Sequence, residues 1–142
     1  TLRVRVGSFS YRGGFPRDVD EHGGGFVFDC RSLVNPGRDE AFRGLSGLDP
    51  AVRDVLEQDP DVDAFFHRTA ALVEAHVADF LVRGFHALDV RYGCTGGQHR
   101  SAYMAERLAR HLERVQPTIE VVLGHAEAAR WPETAQQPDA PR

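Results

Sequence analysis

At 142 residues the chain has the length of one domain, enough to bury about two-thirds of its unfolded surface with no disulfide or metal to hold it. Hydrophobic residues at 42% and charged residues at 27% exclude a disordered, fibrous or membrane-embedded chain. A formal charge of −4 excludes a surface coated with basic nucleic-acid contacts, so any anion site has to be local. No run is apolar enough to cross a bilayer, no secretory pattern precedes Leu2, and the two cysteines, Cys30 and Cys94, are too few for a disulfide framework. Reduced thiols and a cytoplasmic location are the expectation. A chain opening at Thr1 without methionine reads as trimmed or taken from something longer.

Along the chain, Leu2–Ser10 alternates Leu2, Val4 and Val6 with Arg3 and Arg5 and reads as a half-buried strand. A glycine- and arginine-bearing loop follows, then the short strand Gly25–Cys30 and a stretch full of breakers. Leu48-Asp49-Pro50 and Asp59-Pro60 each place an N-cap aspartate before a proline at the first helical position. From the second cap, Val62, Phe65, Phe66, Thr69, Leu72, Val73, Val77, Phe80 and Leu81 recur at helical spacing up to a glycine C-cap at Gly84. A strand over His86–Tyr92, a helix over Arg100–Arg114 and a last strand over Ile119–Leu123 complete the order. That order puts helical crossovers between strands and predicts an α/β domain over residues 1–124, a mostly parallel sheet with helices on both faces. Residues 125–142 are expected to form a polar tail, with Trp131-Pro132 its one apolar feature and Gln136–Arg142 disordered.

Right-handed crossovers bring the carboxyl ends of the strands, at Cys30, Tyr92 and Leu123, to one edge, where open α/β sheets bind ligands. The chemistry concentrates at one strand-to-helix junction, Gly93-Cys94-Thr95-Gly96-Gly97-Gln98-His99-Arg100-Ser101. Glycines there let backbone amides curl round an anion, a helix N-terminus adds about half a positive charge, and Arg100 offers a bidentate fork beside Thr95, His99 and Ser101. Phosphate is the natural guest. Arg12 and Arg17 after the first strand, and Asp29, Arg31, Asn35 and Arg38 after the second, should meet this cradle, the acid and amide suiting sugar hydroxyls or an amine. Cys94 and Arg100 also form C-x5-R, the spacing of cysteine-dependent phosphatases, which makes Cys94 a candidate nucleophile. Against that, Gly93 stands where a histidine is usual, and no general-acid aspartate is identifiable. No Cys-x2-Cys or paired-histidine spacing supports a metal, and no cofactor is called for.

SFSYRGGFPRDVD, FVFDCRSLVNPGR, GLDPAV and GCTGGQHRSAYMAERLA, in that order, resemble the C-terminal domain of the RNase adapter protein RapZ family, from about Val6 to about Leu123. The resemblance implies an α/β domain similar to a phosphofructokinase subdomain, a pocket for glucosamine-6-phosphate and, in the full-length family, an RNA-binding, RNase-recruiting role. Carried over by position, the pocket takes Asp29, Arg31, Asn35, Cys94, Thr95, Gly96, Gly97, His99 and Arg100, with Arg12 where the family tends to have lysine. The family's nucleotide-binding P-loop domain has no counterpart here, since nothing matches G-x4-G-K-[ST]. A lysine- and arginine-rich tail that resembles an RNA contact in the family is missing too, so RNA is disfavoured as a partner. The expected partners are a phosphorylated small molecule and a protein, with homo-oligomerisation left open and no membrane involved.

Overall fold

The computed structural model describes residues 1–16 and 24–138. Arg17 and residues 21–23 of the EHGGG stretch lie outside them. Four strands, β1 (Arg3–Ser10), β2 (Gly25–Asp29), β3 (Ala87–Cys94) and β4 (Glu120–His125), make one sheet in the order β2-β3-β1-β4, every pairing parallel. Three helices accompany it: α1 (Pro50–Glu57), α2 (Pro60–Arg83) and α3 (Arg100–Val115). Among the described residues no helix is long and apolar enough to cross a membrane.

The punctuation in the sequence acts as its chemistry requires, with one exception. Asp59 caps α2, its carboxylate accepting from the Asp61 amide at 2.8 Å, and Gly84 ends that helix at φ 72°, a left-handed turn that glycine takes without a Cβ clash. Asp49 sits at the same place before α1 but caps nothing there. Its Oδ2 instead accepts from the amides of Ser46 at 2.7 Å and Gln136 at 2.9 Å, tying a loop to the segment beyond β4.

Alternation decides which strand residues meet the helices. The register pairs Val4 with Leu88 and Val121, Val6 with Val90 and Leu123, and Phe26 with Val90, so all of these point to one face. There they join Val62, Phe66, Val73 and Val77 of α2 and Met104, Leu108 and Leu112 of α3 in one core, each fully buried side chain stabilising the fold by roughly 1.5–3 kcal/mol. Leu72 and Leu81, part of the predicted helical stripe, are 52% and 37% exposed and lie off that core. Tyr92 reaches furthest, its hydroxyl 2.7 Å from Thr69 Oγ1 inside the core.

The domain is α/β with a parallel sheet, as its element order predicts, and the described helices gather on one face rather than both. Handedness explains why. The β2-to-β3 and β3-to-β4 crossovers step the same way across the sheet, so both right-handed connections pass over the same face. The step from β1 to β2 runs the other way across the sheet, and just after β1 Tyr11 and Phe15 lie 5.0 and 5.6 Å from the Phe9 ring on the opposite face. The rest of that face carries ion pairs, Arg91–Asp89 at 2.7 Å and Arg3–Glu120 at 3.2 Å, and the half-exposed Val27. The carboxyl ends of the neighbours β1 and β3 lie side by side at one edge of the sheet, paired as far as Ser10 and Cys94, and the carboxyl edge is where such sheets bind ligands.

Candidate functional site

The β3–α3 junction leaves from that edge. Two of its peptide planes are held from below: Ser10 Oγ donates to the Thr95 carbonyl at 2.7 Å, and the Trp131 indole Nε1 donates to the Gly97 carbonyl at 3.1 Å. Gly97 takes φ 68°, and a Cβ on it would lie 3.0 Å from Glu127 Cγ and 3.1 Å from the Ser10 amide nitrogen. Gly96 is the opposite case: it is exposed, and a Cβ there would find nothing within 4 Å. His99 stands at the N-cap of α3 and makes no side-chain cap bond, so the unpaired first-turn amides have no cap from that residue.

Arg100 is the centre of the site. Only 5% exposed, it donates through Nη1 to the carbonyls of Arg31 at 2.9 Å, Leu33 at 3.2 Å and Cys30 at 3.4 Å, and so clasps the loop leaving β2. Its Nε is buried and has no hydrogen-bond partner among the described residues. Beside it opens a cleft of about 740 Å³ whose walls include Arg31, Asn35, Arg38, Thr95 and Arg100. The expected fork of two nitrogens on one anion is therefore not what the structure shows: Nη1 is committed to carbonyls and Nε is buried without a partner.

The remaining candidates divide. Thr95 and Asn35 line the cleft, and Asn35 also holds its own turn by accepting from the Gly37 amide at 3.0 Å. Asp29 faces Arg31 in a two-pronged pair, Nη2 to Oδ2 at 2.7 Å and Nε to Oδ1 at 3.0 Å, which holds its carboxyl below the usual range. Arg31 in turn stacks 4.0 Å over the Tyr11 ring. Arg12 is exposed on the loop after β1, its backbone amide bonded to Ser10 Oγ at 3.1 Å. His99 points inward, its Nε2 on the Phe42 carbonyl at 2.9 Å, and so carries that proton and acts as an anchor of the 42–49 loop. Gln98, not singled out by the sequence, shares the task by donating to the carbonyls of Arg43 and Leu45, each at 2.8 Å.

Cys94 belongs to the core rather than the cradle. It is 3% exposed with Sγ 3.1 Å from Ser101 Oγ, and Arg100 turns to the β2 loop instead of toward it, so the thiolate-and-arginine arrangement of a phosphatase is not assembled. Cys30 is fully buried, and burial pushes its thiol well up. Among the described residues no three His, Cys, Asp or Glu side chains are placed to hold a metal ion.

Comparison with known proteins matches this sequence to a family. The sequence profile described as the RapZ C-terminal domain aligns with residues 2–129, nearly the whole chain. The chain belongs to the RapZ C-terminal domain family. Similar proteins include a nucleotide-binding protein of Rhodospirillum centenum, 43% identical over 77% of this chain and 31% of that one. One from Gluconobacter oxydans is 37% identical over 91% and 39%, and one from Ruegeria pomeroyi 38% identical over 98% and 45%. The chain therefore spans less than half the length of these relatives.

The anchoring histidine of this RapZ C-terminal domain has a consequence in pH. Burial lowers the His99 pKa from 6.5, so the unfolded chain takes up the proton first. Its contribution is complete above pH 6.5 and is lost as pH falls from there through the lower folded value, at a slope of up to about 1.4 kcal/mol per pH unit. Urea unfolding at pH 7.5 and 5.5 should show a steeper drop in the wild type than in His99→Gln. Equal drops would assign the loss to other groups.

Proposed function

We propose that this domain binds a phosphorylated small metabolite at the β3–α3 junction, a sugar phosphate such as glucosamine-6-phosphate, and works as a sensor or regulatory module. The observation that carries this reading is the buried, unpartnered Nε of Arg100, a residue that lines a cleft together with Thr95, Asn35 and Arg31. An uncompensated guanidinium N–H costs free energy that an incoming oxyanion recovers. The open Gly96 and the uncapped N-terminus of α3 supply further donors of the same sign. Asn35 and Arg38 also line the cleft, Asn35 with the acceptor a sugar hydroxyl or amine needs and Arg38 with donors for its hydroxyls. In this reading Asp29 acts through Arg31, by holding that guanidinium in place.

Thermal melting tests it. A ligand at about 100 times its dissociation constant adds roughly 2.7 kcal/mol, a rise of about 5–10 °C for a domain this size. Glucosamine-6-phosphate should give that rise, inorganic phosphate a smaller one and glucosamine none. A nucleoside monophosphate belongs in the series because the relatives are named for nucleotides and share the phosphate chemistry. A flat response to every phosphorylated compound would overturn the proposal.

A further inference from the structure

The family profile stops at residue 129, yet the chain goes on bonding beyond it. Trp131 and Ala135, each 5% exposed, pack on Ala102 in the first turn of α3. The Thr134 hydroxyl donates to the Gly44 carbonyl, Ser46 Oγ donates to the Gln136 carbonyl at 3.0 Å, and the Gln136 amide reaches Asp49. The expected polar tail is therefore, as far as Pro138, a strap across the 44–49 loop and the cradle. From the other side Gln98 and His99 bind the carbonyls of residues 42–45, so strap, loop and cradle share one network.

Two bonds in this region fall on alternate peptides of the cradle. In a planar trans peptide the C=O and the following N–H point in opposite directions, so a donor that fixes one aims the other. Ser10, 3% exposed, takes the Thr95 carbonyl from below, which turns the Gly96 N–H away from it toward the exposed side. Trp131 takes the Gly97 carbonyl from the buried side and turns the Gln98 N–H the opposite way. We propose that Ser10 and Trp131 are positioning residues that preset the Gly96 and Gln98 amides for an anion before it arrives. The inference rests on the anion-site reading above and adds what makes the site ready: donors held in place need no reorganisation on binding.

The test uses the full chain and two readouts. Trp131→Phe keeps the packed ring and loses only the indole N–H; Ser10→Ala loses the hydroxyl; Ser10→Thr keeps it. With inorganic phosphate as probe, the Phe and Ala variants should each bind about fivefold more weakly, the measure of one neutral hydrogen bond, and Ser10→Thr should bind as the wild type. In the absence of phosphate, backbone NMR order parameters at Gly96 and Gln98 should fall below the wild-type values in the Phe and Ala variants, with α2 unchanged. Unaltered order parameters at both amides in both variants would overturn the proposal. Should the wild type bind no phosphate, the anion-site reading falls, and the order parameters still decide whether these residues hold the two peptides. If Trp131→Phe does not fold, the Ser10 pair decides alone.

Discussion

Replacing Arg100 with methionine is expected to lower the melting temperature by about 10 °C and to remove phosphate binding altogether. Methionine fills a similar apolar volume but leaves the carbonyls of Arg31, Leu33 and Cys30 without their shared donor in a site that is 5% exposed. A hydrogen bond from a charged group contributes about 1.5–3 kcal/mol, and two of the three are short, so a total near 3–4 kcal/mol follows. The same residue carries the buried, unpartnered Nε on which the anion reading rests, so the loss of stability and the loss of binding share one cause. Arg100→Lys separates them. An ammonium can reach a carbonyl but presents no fork, so stability should recover by about half while phosphate binding stays at least tenfold weakened. Scanning calorimetry with and without phosphate reads both. A methionine variant that melts like the wild type and still shifts with phosphate would remove Arg100 from both roles.

The parts of this domain set by local chemistry are legible in its sequence. Asp-Pro pairs start α1 and α2, Gly84 stops α2, and the period-two runs in β1 and β3 identify strands, because each signal acts within a few residues. The same alternation places Cys94 with Leu88, Val90 and Tyr92 on the helix-facing side, and so argues against it as an exposed nucleophile. What is not legible depends on long-range order. The order β2-β3-β1-β4 decides that the helices share a face, and no residue in any strand encodes that position. The pairing of Asp29 with Arg31 turns two expected ligand contacts into one internal brace, a choice made by loop geometry rather than by residue type. Trp131 stands alone in a polar stretch, with no periodic partner to reveal that it is buried. The candidate site is legible because glycine, arginine and a helix start coincide in eight residues. The strap is not, because its hydrogen bonds to the cradle and the 44–49 loop reach 34 to 90 residues back in sequence.

Neighbouring glycines in the cradle should respond in opposite ways. Gly97→Ala is expected to destabilise the fold by about 2 kcal/mol or more: φ 68° costs an L-residue roughly 1–2 kcal/mol, and its methyl would press on the Ser10 amide and on Glu127. The backbone neighbour cannot yield easily, since Ser10 closes β1, and the Glu127 side chain is mostly buried, its two carboxylate oxygens sharing Arg130 Nη1 at 3.0 Å. Gly96→Ala should leave stability within about 0.5 kcal/mol, because its φ is not positive and its methyl would point into open space. That open space is where the oxyanion is proposed to rest against the Gly96 amide, so the methyl should weaken phosphate binding by about tenfold or more, an overpacking cost of about 1–3 kcal/mol felt only when the guest is present. Urea midpoints and phosphate titrations on the two variants separate folding from binding. A Gly96→Ala protein that binds phosphate as the wild type does would move the anion off this amide and leave Arg100 and Thr95 as its contacts.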